Sequence, residues 1–293
     1  MIDNKNASND LNNAIWAASY MVCGAASLAF NHSLVRIVAQ ELHPLETSAL
    51  RFLWALPLML PFIVSKRGSA LRTKRHGLHF VTALLTVIMT VFFFIALSNM
   101  PMAEATALNF TAPLFTTIIA AFFLREKVKF SRWTATGIGF IGVLVILRPG
   151  FLDIKLVSIF PIIGAFLLAF WFICVKRLSS TETTTTITIY QTIWAAFVLA
   201  IAAIPVWTVP SWGILIYSAA MGCLGTLGIV FTSKAFALAE ASLVAPLDYL
   251  RLPFIALIAF FTFGEIPDGI SIVGALIITM SAIYIVRKAA LDD

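Results

Sequence analysis

The sequence predicts an all-α integral membrane protein of ten transmembrane helices, arranged as a five-plus-five inverted repeat with both termini in the cytoplasm. Three observations carry this expectation. First, 60% of the 293 residues are hydrophobic and only 12% charged, against about 45–50% and 25% in soluble domains, and the mean hydropathy is +0.97. Second, the apolar stretches are continuous, as in ALLTVIMTVFFFIALSNM from Ala83 and PIIGAFLLAFWFICV from Pro161. A transmembrane barrel would alternate, so helices that satisfy their own backbone are favoured. Third, the chain matches itself across its midpoint.

Each apolar run approaches the ~20 residues that a crossing helix needs. The polar start, residues 1–13, is a tail, and no small-residue cleavage site precedes His32, so the run over 14–34 is a retained helix. The next spans are 45–64, which contains Arg51, then 78–97, 105–124, and a short one at 130–147. The second half repeats the series with 156–175, 186–206, 212–233, 243–263 and another short span at 270–286. This divides the chain into a first repeat at 14–150, a second at 151–287 and a C-terminal tail at 288–293. No soluble domain fits in the remainder. Trp133 and Trp212 fall at span ends, where indoles anchor in the interface. Trp16, Trp54, Trp171 and Trp194 lie deeper, either packed or facing a cavity.

The formal net charge of +6 is explained by topology. Fifteen of the twenty basic residues, among them Lys5, Lys66, Arg67, Arg72, Arg125, Lys127, Arg132, Lys176, Arg177, Lys234 and Arg287, fall in the connections on the side of the N-terminus. Only Arg36, Arg148 and Lys155 fall on the other side. This bias puts both termini inside and leaves no basic patch for nucleic acid. Cys23, Cys174 and Cys223 are odd in number and lie singly in apolar runs, without disulfide or zinc spacing.

MAEATALNFTAPLFTTIIAAFFLREKV from Met102 matches LAEASLVAPLDYLRLPFIALIAFFTFGEIP from Leu238. Both begin with Ala-Glu-Ala, at Glu104 and Glu240, carry proline, and end in an acidic residue, Glu126 and Glu265. Five spans separate the copies, and an odd number reverses orientation, which relates the halves by a pseudo-two-fold axis in the membrane plane. Such repeats are a mark of secondary transporters. Arg51 in an ALRF context, the P-L-F-x(8)-L-x-E run ending at Glu126, the G-x-G-x-x-G run at Gly137, Gly139 and Gly142, and F-G-E ending at Glu265 resemble the EamA family of the drug/metabolite transporter superfamily. APLFTTIIAAFFLREKVKFSRW and APLDYLRLPF are similar to a bacterial subgroup that includes S-adenosylmethionine uptake permeases. The resemblance covers nearly the whole chain. It implies a bacterial inner-membrane carrier for small metabolites such as amino acids or their derivatives, with a central cavity lined by both halves.

Gly137, Gly139 and Gly142 have no preceding strand, so helix packing is expected in place of nucleotide binding. Pro113, Pro246 and Pro253 fall in corresponding spans of the two halves and are expected to kink them; interrupted helices at such positions point to a transporter's site. Ionisable groups inside a span cost about 2.5–3.5 kcal/mol on insertion scales, and three are well inside: Arg51, Asp248 and Arg251. Asp248 and Arg251 are three apart, hence on one helix face. Either they neutralise each other, or they meet polar groups of the substrate with Tyr249 as an aromatic wall. Arg51 has Glu46 or a carboxylate of another helix as its candidate partner, or the substrate itself. Asn109, Tyr20, Trp171 and Tyr190 complete the candidate cavity, with Gln191 and His32 as further polar groups. The site is expected to lie mainly between spans four and nine, with parts of one, two, six and seven. No cofactor or metal set is present in the sequence, and an integral-membrane enzyme lacks its clustered acids, such as D-x-x-x-D. A pore-like facilitator is the other rival.

Overall fold

The computed structural model describes residues 2–65, 73–99, 105, 108–147, 156–263 and 269–291, and those residues form helices joined by short turns. In chain order the helices are α1 (Ile2–Val38), α2 (Pro44–Ser65) and α3 (His76–Asn99). Next come α4 (residues 112–124), α5 (Phe130–Leu147), α6 (Ile159–Ser179), α7 (Thr184–Ala203) and α8 (Trp212–Leu238). The last two are α9 (residues 241–263) and α10 (Gly269–Leu291). Seven of these, α1, α3 and α6 to α10, are long and apolar enough to cross a membrane, while the apolar stretches in α4 and α5 are shorter. Lys66, Arg67, Arg72, Glu104, Arg148, Lys155 and Glu265 lie outside the described residues, as does the side chain of Lys5.

Helix ends follow local chemistry. Pro44 opens α2, where its missing N–H has no intrahelical partner to lose. Thr183 caps α7 by accepting from the Thr186 amide at 3.2 Å, and Ser211 caps α8 by accepting from that of Ile214 at 3.4 Å. The helices overrun several of the predicted spans. Thus α8 continues to Leu238, so Lys234 sits in the helix and not in a connection.

Helix α4 departs from its expected form. The chain turns at Phe110 and Thr111, and the helix starts at Ala112, so Pro113 sits in a first turn and kinks nothing. The last turn widens to a π-turn over Ala120–Leu124 and stops at Arg125, whose φ of 55° is left-handed. Helix α9 is irregular too. After Ala241–Val244 it tightens to a 3-10 helix over Ala245–Leu250, with Pro246 in its first turn, then resumes as Arg251–Phe263 with Pro253 in its opening turn. The two matching helices are therefore both interrupted, by a break in one and a change of winding in the other.

Packing reflects the duplication. Helix α1 lies along α8 as α6 lies along α3; α2 meets α8 as α7 meets α3; and α1 touches α9 as α6 touches α4. The remaining main pairs, α2 with α7 and α5 with α10, join equivalents. Exchanging each helix of one half for its counterpart reproduces the contacts, as a two-fold axis between the halves requires. The α5–α10 seam shows it at residue level. A Cβ on Gly142 would meet the Gly274 carbonyl at 3.0 Å, and one on Gly274 would meet the Gly142 carbonyl at 2.9 Å. The counterparts 139 residues away are Ser281 and Ala135, and there the Ser281 hydroxyl donates to the Ala135 carbonyl at 2.6 Å. Gly139 also meets α9, since its Cβ would approach the Tyr249 ring to 2.6 Å. Gly137 differs from the packing expectation: nothing lies within 4 Å of the position its Cβ would take.

The interior is built from small and apolar side chains, including Met21, Phe52, Phe172, Phe236 and Leu247. Large apolar groups also cover the outside, such as Phe122, Trp212 and Phe261, as expected of a surface that meets lipid.

Candidate functional site

Between the repeats lies a cavity of about 90 Å³. Its wall takes Leu28 and His32 from α1, Arg51 from α2, Thr86, Thr90 and Phe93 from α3, Asn109 before α4, Trp171 and Phe172 from α6, Gln191 from α7, Thr232 from α8 and Arg251 from α9. Both halves contribute, because α1–α8 and α6–α3 packing carries each repeat's helices into the other. Small-molecule sites commonly span about 300–1,000 Å³, so a metabolite enters only if these walls part.

The wall is rich in polar atoms with no partner inside the protein. Among the described residues these include His32 Nδ1, Trp171 Nε1, Gln191 Oε1, Thr232 Oγ1 and Arg251 Nε. Leaving such a buried group unsatisfied costs about 1–3 kcal/mol, so their convergence on one space marks a place for water or a polar ligand. The Gln191 amide is fixed by donating to Thr86 Oγ1 at 2.6 Å, and Thr86 in turn donates to the Thr82 carbonyl at 2.9 Å.

Asp248 and Arg251 form a buried ion pair across one turn, and the Arg251 guanidinium lies 5.8 Å from the centre of the Phe110 ring. Arg251 reaches the wall; Asp248 stands behind it, outside the lining. Tyr249 points elsewhere, packed between Gly139 and Phe110, with ring centroids 6.0 Å apart from the latter. Tyr20 is also away from the cavity, stacked on Phe231 under the Lys234 ammonium at 5.1 Å. Tyr190 stacks on His79 at 4.6 Å. Of the candidate residues, Arg51, Asn109, Trp171 and Arg251 come together, and Tyr20, Tyr190, Asp248 and Tyr249 lie off the wall. The expected partner of Arg51 is engaged elsewhere: Glu46 accepts from the Thr208 amide at 3.2 Å and its hydroxyl at 3.0 Å. Trp54 donates to Ser218 Oγ at 3.0 Å on a half-exposed face, and Trp16 is exposed.

The sequence reading omitted α3 and α8. Thr82, Thr86 and Thr90 recur every four residues, which puts them on one face of α3, and that spacing was the available signal.

One end of the bundle, where α4 and α6 finish and α5 and α9 begin, is closed by polar contacts. The Glu126 carboxylate accepts from the amides of Ala241 at 2.9 Å and Ser242 at 3.1 Å, at the N-terminus of α9, where a helix favours negative charge. Arg132 pairs with Glu240 and donates to Ser242 Oγ at 2.8 Å. Lys176 donates to the Ala239 carbonyl at 2.6 Å and Arg177 to that of Phe123 at 2.8 Å. The left-handed turn at Arg125 is what directs Glu126 across to the second repeat.

The EamA-like transporter family matches this chain twice, over residues 15–148 and 155–287. An S-adenosylmethionine uptake transporter of Rickettsia prowazekii (strain Madrid E) is 31% identical over 276 residues, 94% of this chain and 92% of that protein. A riboflavin transporter of Vibrio cholerae serotype O1 is 34% identical over 289 residues, 94% of this chain and 93% of its own. One solved crystal structure superposes with a TM-score of 0.76 over 92% of this chain and 97% of its own, at 19% identity, which shows a shared fold. Two matched repeats, helices long enough to cross a membrane and bacterial relatives named as transporters agree: the chain belongs to the EamA-like transporter family and is a multi-pass protein of the bacterial inner membrane.

Proposed function

We propose that this protein is a secondary transporter that moves a small metabolite, such as an amino acid or a derivative, by alternating access. The carrying observation is the cavity at the seam of the two repeats, with unpartnered polar atoms on its wall. In this reading each of α1 to α10 crosses the membrane once, in repeats over 14–150 and 151–287, while the tails expected at 1–13 and 288–293 continue α1 from Ile2 and α10 to Leu291 as helix. Both termini are then cytoplasmic, by the distribution of Lys and Arg. Arg51, Asn109, Trp171 and Arg251 contact the substrate, and Asp248 holds Arg251 in place.

Two near-equivalent halves related by a two-fold axis have two near-equivalent ways to lean against each other. The contacts of Glu126, Arg132 and Lys176 close the cytoplasmic end, and their release lets α4 and α6 part from α9. The test is counterflow in proteoliposomes. Saturable flux stimulated by unlabelled substrate on the far side is expected; non-saturating flux without that stimulation refutes the carrier and indicates a pore. Uptake of S-adenosylmethionine is a second reading, favoured by relatives bearing that name. Parallel assays with S-adenosylmethionine and riboflavin separate it from the activity named for the Vibrio protein.

A further inference from the structure

The two arginines on the cavity wall differ in their charge balance. Arg251 is neutralised by Asp248 in the same helix. Arg51 has no carboxylate within ion-pair distance among the described residues, and its Cζ lies 5.1 Å from the centre of the Phe52 ring. Its guanidinium lies against α8, where Gly225 leaves the room: a Cβ there would come within 2.7 Å of Arg51 Nε and 3.2 Å of Nη2. Asn31, on the same spot, donates its amide to the Met221 carbonyl at 2.7 Å and carries no charge to balance Arg51, while its Oδ1 has no partner. Among the described residues Arg51 is thus a cation on the cavity wall without a counter-charge, seated against α8 where Gly225 lacks a Cβ.

We infer that Arg51 anchors a carboxylate of the transported metabolite. This deepens the carrier reading and rests on it for the word transported; the charge preference itself is a property of binding. A carboxylate is acceptor-only and takes two donors from one guanidinium in a fixed fork. The neighbouring unpartnered atoms suit the rest of such a molecule. Trp171 Nε1 and Arg251 Nε are further donors, Gln191 Oε1 is an acceptor, and Trp171 and Phe93 offer apolar faces. Amino acids and related organic acids fit this wall. A neutral ring system without an acid group leaves Arg51 uncompensated, so riboflavin is disfavoured as substrate.

The test is a matched pair of probes, benzoate and benzamide, titrated at equal ionic strength against the purified full chain in detergent, with thermal stabilisation as the readout. Benzoate is expected to bind about tenfold or more tightly than benzamide, because a hydrogen bond to a charged group exceeds a neutral one by about that factor. In Arg51→Gln the ratio falls to about one, and in Arg51→Lys part of it remains. Gly225→Ala, which keeps the charge but crowds Nε, lowers the ratio as well and serves if Arg51→Gln does not fold. Absence of benzoate-dependent stabilisation, equal binding of the two probes, or an unchanged ratio in Arg51→Gln or Gly225→Ala overturns the inference. A protein that fails counterflow but keeps the benzoate preference refutes alternating access and leaves the charge preference standing.

Discussion

The seam between α5 and α10 supports a paired perturbation on one helix. In Gly142→Ala the new methyl would stand 2.8 Å from Ile278 Cγ1, 3.0 Å from the Gly274 carbonyl and 3.1 Å from Ile277 Cγ2. Ordinary carbon contacts begin near 3.5 Å, so α10 must move outward by about half an ångström along a backbone-to-backbone contact. Overpacking of this kind costs about 1–3 kcal/mol. Gly137→Ala, little more than a turn away, meets nothing within 4 Å, and exchanging glycine for alanine in a helix gains up to about 1 kcal/mol. A difference of about 2 kcal/mol between the variants corresponds to about 4–8 °C in a chain of this size. Melting of the two purified variants in one detergent, followed by tryptophan fluorescence, provides the measurement. Equal melting temperatures, or a lower one for Gly137→Ala, would refute the assignment of this seam as a close backbone contact.

Three other perturbations follow from the contacts. Asp248→Asn strands the buried Arg251 cation and is expected to cost about 3–5 kcal/mol, while Asp248→Asn with Arg251→Met recovers most of it, in denaturation of the purified protein; a single variant as stable as wild type would release Asp248 for a role in binding. Glu126→Ala removes the acceptor for two amides of α9 and is expected to cost about 0.5–2 kcal/mol and to raise maleimide labelling of Thr232→Cys in a background without native cysteines; unchanged labelling would mean that these contacts do not hold the end shut. Trp54→Phe loses the bond to Ser218 at about 0.5–1.5 kcal/mol and leaves counterflow intact, since Trp54 is not on the cavity wall.

The positions of most helices were legible because the apolar bilayer selects apolar residues along a whole span, and the duplication because the stretches from Met102 and Leu238 keep the same order of Ala-Glu-Ala, proline and terminal acid. The Asp248–Arg251 pair was legible for a related reason: helical geometry alone places residues three apart together, and this survives the local 3-10 winding. What was not legible depended on which side of a helix faces the interior. Tyr249 follows Asp248 directly, yet one residue of the 3-10 winding turns it through about 120° and against Gly139. Thr86 and Thr232 carry only a hydroxyl in an apolar run, and such hydroxyls usually bond to their own backbone, as Thr86 does to Thr82. Pro113 was misplaced because a proline that breaks a span and one that begins a helix look the same until the turn before it is known.

The crossed packing, α1 on α8 and α6 on α3, bears on how the chain is made. Neither repeat on its own can cover the faces of its first and third helices, so a fragment ending after α5 is expected to sit in the membrane incompletely folded and open to proteolysis. Supplied together, two fragments divided between α5 and α6 carry complementary surfaces for each other. A functional split protein is therefore the expected product of co-expression.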